Sequence, residues 1–130
     1  MAGKISNLTG VWLGLYSYPR LLQPASFTAT LIETESWISG STHEASHYDG
    51  ETLLATLIGS RDGNAVSFVK TYEQVNRGYG PPVRYEGHVS EDGTEIEGRW
   101  TIRADWAGKF LMVRSGGGAE ARARKKFAEV

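Results

Sequence analysis

His43-Glu44-Ala45-Ser46-His47 is the stretch of this chain whose residue types and spacing could do chemistry. It matches the H-E-x-x-H pattern, in which two histidines one helical turn apart hold zinc and the intervening glutamate is the general base of a metal-dependent hydrolase. The pattern needs a helix. Gly40 and Gly50 bracket the segment, no apolar periodicity surrounds it, and Ser41, Ser46, Tyr48 and Asp49 are weak helix formers. In an extended chain, positions four apart lie about 13 Å from each other, far beyond joint ligation of one ion at about 2 Å. A bend that gathers His43, His47 and Asp49 on a metal is a second arrangement, and two solvent-facing histidines on a loop is the third and plainest. No Ser-His-Asp spacing, phosphate loop or dinucleotide fingerprint occurs, and the carboxylates that pair do so on a strand surface (Glu95, Glu97) or in a turn (Glu91, Asp92). The reading is of a non-catalytic protein with no cofactor.

The elements that would position such residues are strands. Leu53 to Ile58, the turn Arg61-Asp62-Gly63-Asn64 and the alternating run Val66 to Tyr72 form a β-hairpin, because Asp-Gly supplies the positive φ of a tight turn. A second Asp-Gly hairpin joins Pro82–Ser90 to Thr94–Arg103 around Glu91-Asp92-Gly93. Further strands are read at Gly10 to Tyr16, Ser26 to Thr34, Trp37 to about His43 and Lys109 to Ser115. Eight such strands with no convincing helix between them predict an all-β fold, an eight-stranded antiparallel up-and-down β-barrel whose closure leaves no exposed edge. The barrel spans residues 1–115 as one domain, and residues 116–130 form a Gly-rich linker and a basic tail.

Alternate connections of a meander fall at opposite ends of the barrel. Glu35-Ser36, Arg61 to Asn64 and Glu91 to Gly93 are tight and lace one end shut. Tyr18 to Pro24, Glu44 to Gly50, Glu73 to Pro81 and Ala104 to Gly108 are mostly long, and mark the other end as a mouth. Period two then assigns the lining. Trp12, Gly14 and Tyr16 face inward, as do Phe27, Ala29, Leu31, Ile38 and Gly40, and so do Val66, Phe68, Val83, Tyr85, Gly87, Ile96, Gly98, Trp100, Phe110 and Met112. The candidate ligand-binding set is Tyr16, Phe68, Tyr85 and Trp100 on the wall, with Tyr79, Trp106 and His43 at the rim near Tyr18, Arg20 and Arg77.

Bulk properties narrow the partners. A chain of 130 residues without cysteine can bury a sizeable core unaided, and disulfide or thiol chemistry is excluded. A net charge of −1, mixed along the chain, is a poor footprint for nucleic acid. Neither Met1 to Asn7 nor any later run is apolar enough for a signal or membrane segment, so a cytoplasmic protein is expected. Val11, Leu13, Leu15, Leu111 and Val113 form an outward apolar stripe, to be covered by the tail (Ala119, Ala123, Phe127, Val130) or by a second copy in a homo-oligomer.

Leu8-Thr9-Gly10-Val11-Trp12 is a Gly-x-Trp opening to an eight-stranded meander, and it resembles that of the calycins, the lipocalin, fatty-acid-binding and avidin barrels. The resemblance implies that Arg114, ending the last strand, stacks on Trp12 and plugs the closed end. The avidins are the closer likeness: Ile38-Ser39-Gly40-Ser41 with Ala45, Tyr85-Glu86-Gly87-His88, and Arg99-Trp100-Thr101-Ile102 with Trp106 are similar to avidin strands. The polar set by which that family holds biotin has no equivalent here, where the matching stretches read Leu13-Gly14-Leu15, Thr42-His43-Glu44 and Lys109-Phe110-Leu111-Met112. The expected function is binding of a small apolar or aromatic ligand other than biotin. The alternative is a solid-cored barrel that serves assembly.

Overall fold

Alternation of apolar and polar residues commits the chain to extended backbone. The computed structural model describes residues 7–17, 25–45, 51–73, 81–102, 106–115 and 125. It contains β1 (Gly10–Tyr16), β2 (Ala25–Thr34), β3 (Trp37–Ala45), β4 (Thr52–Asp62), β5 (Ala65–Tyr72), β6 (Val83–Val89), β7 (Glu95–Ile102) and β8 (Trp106–Arg114). Each strand pairs antiparallel with its neighbours in sequence, and β8 returns to β1 with Trp12 opposite Arg114, closing an eight-stranded barrel. Two boundaries differ from expectation. β3 continues through Glu44 to Ala45, and β8 begins at Trp106, so His43, Glu44 and Trp106 belong to strands and not to connecting loops.

The tight end forms as its turn chemistry requires. Glu35 and Ser36 take φ of 50° and 77°, the double positive φ of a two-residue hairpin turn, and Gly63 and Gly93 take 62° and 73° in the two Asp-Gly turns. Asp92 holds the last of these by accepting hydrogen bonds from the hydroxyls of Ser90 and Thr94, both at 2.7 Å. These bonds, Ser90 first, hold its carboxyl down to about 2.

Basic side chains plug the barrel at this end. The Arg114 guanidinium lies 4.6 Å from the Trp12 ring centroid and donates to the carbonyls of Gly93 and Thr9 at 2.8 and 3.2 Å, and to that of Asn7. Trp12 is fully buried, its indole N–H bonded to the Leu8 carbonyl at 3.0 Å. Beside it Arg61 pairs with Glu33 at 2.7 Å and also donates to the Gly63 carbonyl.

Above this plug the interior is filled by aromatic rings. Phe68 stacks on Tyr85 at 5.1 Å, Phe110 meets Tyr85 edge-on at 4.9 Å, and Phe27 reaches Tyr85 at 6.4 Å. Gly14 makes room for this packing: a Cβ there would lie 2.2 Å from Phe27 Cζ. On the outer surface Leu15, Leu111 and Val113 are buried within the single chain and pack with Leu13, whereas Val11 is exposed. Their burial therefore needs no second chain. The tail residues expected to cover them, Ala119, Ala123, Phe127 and Val130, lie outside the described residues.

Candidate functional site

The inward parity of Val66 and Phe68 continues along β5 to Lys70 and Tyr72, and that of Ile38 and Gly40 continues along β3 to Thr42 and Glu44. All four lie toward the end of the barrel that carries the longer connections. Tyr16, the last residue of β1, arrives at the same level.

These side chains form one cluster. The Lys70 ammonium donates to Glu44 Oε1 at 2.9 Å, and both side chains are almost completely buried. Tyr72 donates its hydroxyl to the same oxygen at 2.9 Å, and Tyr16 donates to Glu44 Oε2 at 2.8 Å. Four rings surround the ammonium, with centroids at 4.6 Å (Phe27), 5.0 Å (Tyr72), 5.2 Å (Tyr16) and 5.5 Å (Tyr85). Burial disfavours the charge on Lys70, but Tyr85, Tyr72 and Glu44 together more than offset it and raise its pKa above the ordinary lysine value. Burial also raises the Tyr72 phenol, although Lys70 opposes this. Lys70 therefore stays an ammonium at neutral pH, which removes it as an amine nucleophile.

The two ends of the barrel bury charge differently. Arg114 and Arg61 are anchored to backbone carbonyls. Among the described residues, the partners of Glu44 and Lys70 are side chains. Glu44 receives three hydrogen bonds, whereas a carboxylate offers about four lone-pair positions. Thr42, flanked across the strands by Ala29 and Ala55, has a buried hydroxyl with no hydrogen-bond partner among the described residues.

Of the residues expected to form the wall, Tyr16, Phe68, Tyr85 and Trp100 are all buried. The structure joins them into one packed set: Tyr16 meets Trp100 edge-on at 6.2 Å and reaches Tyr85 through Phe27. Trp100 is tied by its indole N–H to the Ser17 carbonyl at 2.8 Å. Trp106 is exposed and pairs with the half-buried Ile102 across the β7–β8 ladder. His43 is on the outer face of β3, exposed between Thr28 and Leu54, because period two turns it out as it turns Glu44 in. The first three residues of the H-E-x-x-H match are thus extended, with His43 and Glu44 on opposite faces of the sheet. Tyr79, His47 and Asp49 lie outside the described residues, as do Tyr18, Arg20 and Arg77. Among the described residues no group of three or more His, Asp or Glu gathers in metal-binding geometry.

Sequence reasoning missed Glu44, Lys70, Tyr72 and Thr42. The signal was present, since each continues an apolar parity already assigned. A polar residue at an inward position reads as the end of the lining.

No family model matches this sequence, and neither does any curated protein. Among solved structures it is similar to a redesigned β-barrel, with a TM-score of 0.63 and 12% identity over 84% of this chain and 91% of that one. At this identity the likeness shows the fold alone.

Proposed function

We propose that the protein is a non-catalytic small-molecule-binding barrel whose ligand sits at the open end, on a floor made by Tyr16, Glu44, Lys70 and Tyr72. The observation that carries the reading is the Glu44–Lys70 pair, buried at that end and hydrogen-bonded to the Tyr16 and Tyr72 hydroxyls. A buried ion pair contributes little to stability compared with apolar residues of the same volume, and buried ionisable groups cluster at functional sites. Phe68, Tyr85 and Phe110 pack on one another, so on this reading the ligand sits above the rings and not among them. Glu44, Tyr16 and Val83 retain 5–7% exposure there, with Trp106 and Ile102 to the side. The spare acceptor position on Glu44 and the aromatic rim suit a flat, largely apolar molecule that carries an N–H or O–H donor. The Arg114–Trp12 stack supports a calycin-type relationship, while biotin is expected to bind weakly or not at all for want of its polar partners.

A thermal-shift screen of flat aromatic amines, amides and phenols tests the reading, with biotin as the negative control. Hits should raise the melting temperature of the natural chain and lose that effect in Glu44→Gln. If no compound shifts the melt, or if the shifts persist in Glu44→Gln and Lys70→Met, the open-end floor is not the seat.

A further inference from the structure

The chain carries the dipeptide Asp-Gly twice, at Asp62-Gly63 and at Asp92-Gly93, each in a hairpin turn of the tight end and each with its glycine at positive φ. In this dipeptide the aspartate carboxyl lies within reach of the next main-chain nitrogen, and glycine puts no side chain in the way of a small ring between them. The fold treats the two copies differently. The Asp92 carboxylate accepts from the Ser90 and Thr94 hydroxyls, both at 2.7 Å, and from the Thr94 N–H at 3.1 Å. Gly93 is buried, and its N–H donates to the Ser90 carbonyl at 2.9 Å. Both groups that would react are therefore engaged. At the other turn Asp62, Gly63 and Asn64 are exposed, and a Cβ on Gly63 would meet nothing within 4 Å. Neither the Asp62 carboxylate nor the Gly63 N–H has a hydrogen-bond partner among the described residues.

We propose that Asp62 is a site of spontaneous isoaspartate formation, and that the hydrogen bonds around Asp92 spare the second Asp-Gly turn. The Gly63 nitrogen attacks the Asp62 Cγ and forms a C–N bond, and the carboxyl hydroxyl leaves with the proton of that nitrogen as water, giving a cyclic imide. Water then adds to the imide. Opening at Cγ restores aspartate. Opening at the main-chain carbonyl carbon breaks its bond to the Gly63 nitrogen and leaves the chain running through Cβ and Cγ, with the α-carboxylate free. One water leaves and one returns, so the product is an isomer of the same mass. For Asp92 to follow this path its carboxylate must first give up charge-assisted hydrogen bonds, and the Gly93 nitrogen must leave Ser90. The same bonds hold the Asp92 carboxyl down to about 2, which depletes the protonated form that loses water most readily. At Asp62 the isomer also disturbs the plug. The main chain of the turn gains a carbon, and this carries the Gly63 carbonyl away from Arg61, which donates to it at 2.8 Å while pairing with Glu33 at 2.7 Å.

Ageing the full chain in warm, mildly acidic buffer tests this, with peptide mapping by a protease that cuts before aspartate and not before isoaspartate. Isoaspartate should accumulate at Asp62 at least roughly tenfold faster than at Asp92, the factor expected when a hydrogen bond to a charged group must break first. In denaturant the fold no longer distinguishes the turns, and the two rates should converge. Ser90→Ala with Thr94→Val releases the Asp92 carboxylate and should bring its rate up toward that of Asp62. Asp62→Glu, whose longer side chain closes a less favourable ring, should abolish the reaction at the first turn. Equal rates at the two turns of the folded chain overturn the proposal, as does a folded chain that forms no isoaspartate at Asp62 while the denatured chain does. A difference that persists in denaturant also overturns it, since it would belong to the flanking residues and not to the fold. If Asp92 stays as slow in the Ser90→Ala, Thr94→Val chain as in the natural one, the hydroxyls do not protect it and that half of the proposal falls.

Discussion

Replacing Lys70 by methionine keeps an unbranched side chain of similar length in the ring cage and removes only the ammonium. Glu44 then faces the barrel interior with two tyrosine hydroxyls and no counter-charge. Breaking a buried pair from one side costs about 3–5 kcal/mol, because the remaining charge is left uncompensated. For a domain of this size each kcal/mol moves the melting temperature by about 3–6 °C, so Lys70→Met should melt about 10–30 °C below the natural chain at neutral pH. The double variant Glu44→Gln with Lys70→Met separates lost charge from lost packing. A neutral amide still offers an acceptor to Tyr16 and Tyr72, and no charge remains to be buried. It should recover most of the loss and melt within about 1–2 kcal/mol of the natural chain. Calorimetry on the natural chain, both single variants and the double closes the cycle, and the two positions should show strong coupling. Two results would refute the reasoning. One is a Lys70→Met variant melting within about 2 °C of the natural chain; the other is single losses that simply add, since either means that the pair is solvated and not enclosed.

Three further outcomes follow from the same geometry. Lys70 and Tyr72 both have pKa values raised above their ordinary 10.5 and 10.0, so the stability they contribute is fully present below about pH 10 and is lost as the pH climbs past it. The melting temperature should thus fall more steeply above pH 10 in the natural chain than in the Glu44→Gln, Lys70→Met double variant, and equal slopes would contradict this. Asp92 is lowered to about 2, so its contribution is present above its ordinary 3.8 and is lost as the pH falls from there toward 2. Asp92→Ala should flatten the acid limb of the melting profile between those values, and an unchanged limb would discount the turn. Gly14→Ala drives a methyl into the Phe27 ring and should cost about 1–3 kcal/mol, which Phe27→Leu in the same chain should partly restore; additive losses in the double would point to backbone strain instead.

The closed barrel was legible in the residues alone. Period-two alternation and Asp-Gly turns are local signals, and in a meander local signals suffice, because each strand pairs with the next one along the chain. The inward parity of Trp12, Phe27, Phe68, Tyr85, Trp100 and Phe110 was legible for the same reason, and so was the end at which Arg114 would meet Trp12. What the end with the longer connections contains is set by contacts between strands distant in sequence. Glu44 and Lys70 are 26 positions apart, and either alone reads as a solvated charge or a loop residue. Their pairing, and the four rings that enclose the ammonium, depend on how far each strand runs before it turns and on how closure brings β1 to the same level as β3 and β5. Among outward apolar residues, Leu15, Leu111 and Val113 are buried while Trp37 and Ile58 are not, and parity alone does not separate them. Parity tells a residue which side of the sheet it is on, but which part of that side is covered is a property of the whole surface, and a surface exists only once the chain has folded.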